Sequence, residues 1–144
     1  MAARRRSRST WRVLARGAAR RCPRCGAGGL FRGWFTMRER CPRCGLRFER
    51  IEGHWLGAIA LNLVVTEAVF GVILVGGAVA TWPDPPWVTI AAAGIAANVI
   101  VPLVYYPFSK TTWTALDLVM RPMELREIAD AAESSPEVPW PPPD

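Results

Sequence analysis

The hydrophobic positions of this chain gather into two long runs rather than into the short alternations of a soluble domain. Residues 56–80 form the first, interrupted only by Asn62, Thr66 and Glu67. As a helix such a run is about 37 Å long, enough to cross a ~30 Å hydrocarbon layer with some tilt. The second run covers 88–104 and extends to Phe108, about 26 to 32 Å of helix. Between them, Thr81-Trp82-Pro83-Asp84-Pro85-Pro86-Trp87 holds three prolines. Proline removes a helical N–H and clashes with the preceding turn, so the pattern predicts a tight turn between two antiparallel helices. Aromatic rings mark the ends: Trp55 and Trp82 for the first run, Trp87, Tyr105 and Tyr106 for the second. Indole and phenol rings favour the layer where lipid meets water.

Beyond the second run the period changes. Trp113, Leu116, Val119 and Met120 recur at three- and four-residue steps, which predicts an amphipathic helix along a membrane surface, separated or kinked from the span at Pro107. A second short helix is expected from Pro122, at its first turn, to about Glu133. The remainder, 134–144, is proline-rich and reads as a disordered tail. Before the first run, Leu30, Phe31, Trp34, Phe35 and Met37 form an aromatic strand-like stretch, and Leu46 and Phe48 alternate with Arg47 and Glu49. That two-residue period predicts a small β ribbon.

Charge follows the same partition. Residues 1–52 contain 15 arginines, no lysine and three acids, Glu39, Glu49 and Glu52. Residues 53–106 contain no basic residue and two acids, Glu67 and Asp84. Residues 107–144 contain three bases and seven acids. A stretch of 54 residues without one basic side chain excludes an ordinary soluble core. The arginine bias places both termini in the cytoplasm and Asp84 outside. The arginine-rich start, with no apolar run before Leu56, is not read as a signal peptide.

The strongest chemical signal lies in the head. Cys22-Pro23-Arg24-Cys25-Gly26 and Cys41-Pro42-Arg43-Cys44-Gly45 are separated by the fifteen residues 26–40 between Cys25 and Cys41. Two C-x2-C pairs at this separation read as a four-thiolate zinc site, each pair forming a knuckle that aims two sulfurs at one point. Proline fixes the second position, and glycine after the second cysteine permits positive φ. The zinc is structural, since so small a head needs metal binding for its folding free energy. Iron in a rubredoxin-like site is the weaker alternative, and disulfides are disfavoured on a cytosolic face. A four-thiolate zinc carries net charge −2, which Arg24 and Arg43 are placed to offset.

Three further groups of residues are candidates. Arg4, Arg5, Arg6, Arg8, Arg12 and Arg16, with Trp11 among them, suit an anionic lipid surface or act as an orientation signal. Nucleic acid is the weaker partner. Inside the spans, Asn62, Glu67 and Asn98 are the polar positions. In a hairpin folded about Asp84, Glu67 falls within a turn of the depth of Asn98, and the expectation is a protonated Glu67 bonded towards Asn98 or towards a partner helix. His54 reads as a polar residue at the inner boundary. No nucleophile–base pair and no phosphate loop is present, so no catalysis is expected.

The residues Arg21-Cys22-Pro23-Arg24-Cys25-Gly26, Gly29-Leu30-Phe31-Arg32-Gly33-Trp34-Phe35 and Cys41-Pro42-Arg43-Cys44-Gly45-Leu46-Arg47-Phe48, with Gly53 and two following spans, resemble the bacterial domain-of-unknown-function family 983. The likeness is greatest to its actinobacterial branch, whose first span begins much like Gly53-His54-Trp55-Leu56-Gly57-Ala58. The resemblance implies the four cysteines as metal ligands. Neighbouring genes in some proteobacteria further imply a link to respiratory complex assembly. The combined expectation is a multi-pass protein of the bacterial plasma membrane. It has a basic arm (1–21), a zinc ribbon (22–52), a two-helix transmembrane hairpin (53–108), an amphipathic acidic segment (109–133) and a disordered tail. It would work as an adaptor or assembly factor beside a membrane-protein partner.

Overall fold

A computed structural model describes the backbone of residues 2–134 and the side chains from residue 10 onward. The proline-rich tail expected to be disordered lies, beyond Ser134, outside the described residues. Four helices follow in order: α1 (Ala2–Ala18), α2 (His54–Ala80), α3 (Trp87–Met120) and α4 (Leu125–Glu133). The chain divides into two compact units, one of Met1–Ala58 with Pro107–Asp144, the other of Ile59–Tyr106.

The second unit is the pair of apolar helical stretches. α2 and α3 are long and apolar enough to cross a membrane. Their contact is antiparallel and built on small residues. A Cβ on Gly94 would stand 2.7 Å from the Phe70 ring, and one on Gly77 would stand 3.1 Å from Ile90. Asn62 donates Nδ2–H to the carbonyl of Pro102 at 3.0 Å. The inner face of α2 runs through Ala58, Asn62, Thr66, Phe70, Ile73 and Gly77, at helical spacing. The opposite face carries exposed Val64, Val72, Val75 and Val79, the kind of apolar surface a membrane span gives to lipid.

Pro107 does not end the second helix. α3 continues through Pro102 and Pro107 for 34 residues, so the segment expected to lie separately on a membrane surface is its last three turns. Each proline lacks the N–H that would bond the carbonyl four residues before it, here those of Asn98 and Leu103. Further along, Thr111 Oγ1–H donates to the carbonyls of Pro107 and Phe108, both at 3.2 Å, and Thr114 Oγ1–H to that of Lys110 at 2.9 Å. One side of this stretch, Pro107, Ser109, Thr111, Thr114, Ala115 and Asp117, is buried in the first unit, while Val119 and Met120 of the expected apolar stripe are exposed. α4 likewise starts at Leu125 rather than Pro122. A capping box decides it: the Glu124 and Glu127 side chains each accept the other's backbone N–H, satisfying two of the donors that a helix start leaves unpaired.

In the head the period-two reading holds for burial, since Leu46 and Phe48 are buried while Arg47 and Glu49 are exposed. Its strands do not form. The described residues contain two isolated antiparallel bridges, Phe31↔Met37 and Arg40↔Arg47, and no β-strand. The knuckles leave too few residues between turns for a ladder to extend. The chain still pairs Arg38 N–H with Leu30 O at 2.8 Å, Arg32 N–H with Thr36 O at 2.9 Å and Phe48 N–H with Glu39 O at 3.0 Å. Its core is Cys22, Leu30, Cys41, Cys44, Leu46 and Phe48, with Trp55 from α2, Leu118 from α3 and Met123 packed against it.

Candidate metal centre

The two knuckles are copies of one turn. In the first, Gly26 N–H bonds Cys22 O at 2.8 Å and Cys22 N–H bonds Ala27 O at 2.9 Å. In the second, Gly45 N–H bonds Cys41 O at 3.0 Å and Cys41 N–H bonds Leu46 O at 2.9 Å. Both glycines have positive φ, 79° and 66°, the left-handed region where a Cβ is costly. Each turn thereby directs two sulfurs to one side.

The four sulfurs meet. All lie within 4.8 Å of one another, with Cys22 and Cys44 at 3.7 Å and Cys25 and Cys41 at 3.6 Å. A tetrahedron with metal–sulfur bonds of ~2.3 Å has edges of about 3.8 Å, so the separations fit one ion. All four cysteines are free thiols. Cys22, Cys41 and Cys44 are buried, and Cys25 is partly open to solvent. Without an ion the thiols share protons unevenly. Hydrogen bonding with Cys25 raises Cys22, and the same bond lowers Cys25. Bonding with Cys22 lowers Cys41 to about 7. A soft dication replaces those shared protons, and four thiolates suit zinc or iron.

Backbone and arginine contacts brace the pair. Arg24 Nη1–H donates to Cys44 O at 3.2 Å, tying the first knuckle to the second. Arg16 of α1 donates to Arg24 O at 2.9 Å. Of the two arginines expected to offset the site's charge, Arg24 therefore bridges the knuckles, while Arg43 is exposed. The Arg16 contact also separates it from the other arginines grouped with it as lipid-facing.

The polar residues of the two apolar helices, Asn62, Glu67 and Asn98, do not converge. Asn62 bonds across to α3, but Asn98 Nδ2–H turns back to its own helix, to Gly94 O at 3.0 Å. Glu67 is exposed on the outer face of α2, so Asn98 is not its partner. Antiparallel register fixes depth but not azimuth, and Glu67 lies about 100° around the helix from the inward Thr66.

The residues that sequence reasoning missed are those that bind the C-terminal elements to the head. Arg50 pairs with Asp117 at 2.8 Å and with Glu127 at 2.7 Å, and also donates to Arg121 O. The Glu127 carboxylate raises the Arg50 guanidinium, which in turn lowers Glu127 below 4.5. Arg40 forms a two-pronged pair with Asp130 at 2.9 and 3.1 Å. The signal was present in the opposite charges of head and tail. His54, expected at a polar boundary, is instead buried between Trp55 and Trp113, its Nδ1 4.0 Å from Asp117.

A family model described as protein of unknown function (DUF983) matches residues 31–117, more than half of the chain. No curated protein and no solved structure matches it.

Proposed function

The chain belongs to the DUF983 family, and on that premise we propose that it is a non-enzymatic adaptor or assembly factor of the bacterial plasma membrane. The observation that carries the reading is the closed set of four sulfurs. Four protein ligands fill a tetrahedral ion and leave no position for water or substrate, which is the arrangement of structural zinc. The ion would be held by Cys22, Cys25, Cys41 and Cys44 and would lend the small head its folding free energy. The arginine distribution supports a cytosolic head and cytosolic termini, with α2 and α3 as the anchor. The head then serves as a binding module, and the hairpin sits beside a larger membrane complex. A respiratory complex is the first candidate partner, by the family association alone.

The test is crosslinking in native membranes, comparing the wild type with Cys25→Ser. The adaptor reading expects one recurrent membrane-protein partner that is lost when the head loses its metal. A partner set unchanged in the variant contradicts it. A second reading, electron transfer through iron, is favoured by the partial exposure of Cys25, which gives the site one edge towards solvent. Visible absorbance in the purified protein separates it from colourless zinc.

A further inference from the structure

The four sulfurs of the metal centre are not equally reachable. Cys22, Cys41 and Cys44 are buried, and Cys25 alone among them is partly open to solvent. The open sulfur also has a positive neighbour. The Arg16 side chain of α1 lies against Gly26, where a Cβ would stand 3.2 Å from its Nε, and it donates to Arg24 O at 2.9 Å. One guanidinium therefore sits beside both residues that flank Cys25. Reactive cysteines occupy such partly exposed, electropositive places, whereas buried structural cysteines are inert. A second sulfur is within reach from the other knuckle: Cys41 Sγ stands 3.6 Å from Cys25 Sγ.

We propose that Cys25 is a peroxide-reactive site, with Arg16 beside it and Cys41 as the thiol that resolves the product. The inference rests on the reading of the four sulfurs as one metal centre, in which ligated thiols are deprotonated. The Cys25 thiolate attacks one oxygen of hydrogen peroxide. An S–O bond forms, the O–O bond breaks, and hydroxide leaves with the electron pair. The Arg16 guanidinium favours that developing anion. A sulfenic acid condenses with a neighbouring thiol to a disulfide. Here the Cys41 thiolate attacks the Cys25 sulfur, the S–S bond forms, the S–O bond breaks, and a second hydroxide leaves. In total two thiolates lose two electrons and one peroxide gains them. Two of the four ligands are then spent, so the head loses its ion and with it much of its folding free energy. In a reducing compartment the disulfides that do form are transient and often redox-sensing. Thiol reductants return both sulfurs, so peroxide would switch the proposed adaptor off reversibly.

The experiment treats the purified full-length chain, its metal content measured first, with an equimolar amount of hydrogen peroxide. Dimedone traps the sulfenic acid, and peptide mapping locates it. The label should fall on Cys25. Without dimedone a disulfide between Cys25 and Cys41 should form, and metal should pass to a chromogenic chelator at the same rate. Dithiothreitol with added zinc should restore the loaded form. Arg16→Gln, at unchanged metal content, should slow the reaction about two- to fivefold, the worth of one partly exposed charge. Arg16→Lys keeps the charge and should react at close to the wild-type rate. A chain that purifies without metal fails the metal reading alone, because the dimedone label still reports which thiol reacts first. First modification at Cys22, Cys41 or Cys44, or a wild-type rate in Arg16→Gln, overturns the proposal.

Discussion

Arg50 and Asp117 form an ion pair at 2.8 Å with both side chains almost excluded from solvent, 7% and 6% exposed. The pair joins Arg50, four residues before the start of α2, to the buried face of α3. A charge left alone in such a place costs several kcal/mol, because water no longer solvates it. Arg50→Met strands Asp117 with, among the described residues, only His54 Nδ1 near it, at 4.0 Å, and should therefore destabilise the first unit by about 3 kcal/mol in denaturant unfolding. Replacing both partners together, Arg50→Met with Asp117→Leu, should cost less than Arg50→Met alone. A double variant as unstable as the sum of its singles would show that the two groups act independently.

Acid should loosen α4 before it unfolds the helices that pack on each other. The Arg50 guanidinium lowers Glu127 below its ordinary 4.5. A depressed carboxyl contributes stability above the unfolded value and loses it as pH falls through the folded value. The amide protection factors of Leu125–Glu133, taken relative to intrinsic exchange at each pH, should fall as pH drops below the ordinary Glu value. In Glu127→Gln they should already be low at neutral pH and lack the acid step. An acid step that persists in the variant would assign the effect to another group.

Gly45 and Gly28 make a matched pair. Gly45 has φ 66°, and a Cβ there would collide with the carbonyl of Ala131 in α4. Gly28 has nothing within 4 Å of an added Cβ. Gly45→Ala should displace α4 and lower metal retention under chelator challenge by tenfold or more, roughly 1 to 2 kcal/mol of backbone strain and repacking. Gly28→Ala should behave as wild type. Similar losses in both variants would remove the special role of the second knuckle.

In the hairpin, Asn62 and Glu67 should part company. Asn62→Leu removes the side-chain bond from α2 to Pro102 O of α3 and should weaken their association by about 0.6 to 1.7 kcal/mol. Glu67 is exposed on the outer face, so Glu67→Leu should leave helix pairing intact. Cysteine crosslinking between the two helices in membranes measures both effects. Loss of crosslinking in Glu67→Leu would place that side chain inside the pair.

Much of this architecture was legible in local pattern. The doubled C-x2-C spacing brought four sulfurs together, and the apolar runs bounded by Trp55, Trp82 and Trp87 gave two helices and their turn. Depth in the hairpin was legible too, since Phe70 meets Gly94 and Ile90 meets Gly77. What local pattern lacks is azimuth and long-range pairing. Glu67 and Thr66 are neighbours in sequence, yet one faces out and the other in. The period of Trp113, Leu116, Val119 and Met120 marked an apolar stripe, yet the side that is buried carries Thr111, Thr114, Ala115 and Asp117, while Val119 and Met120 are exposed. Arg50 ties that buried side to the head across 67 residues of chain.

On the proposed reading, Cys22, Cys25, Cys41 and Cys44 together hold one zinc ion per chain. Elemental analysis of the purified full-length chain, read with its visible spectrum, tests it most directly. The account predicts one zinc per chain, no visible band, and in Cys25→Ser a loss of metal together with protease cleavage of the head. Metal-free wild-type protein that resists protease as well as the loaded form, or stoichiometric iron with a visible band, would contradict it.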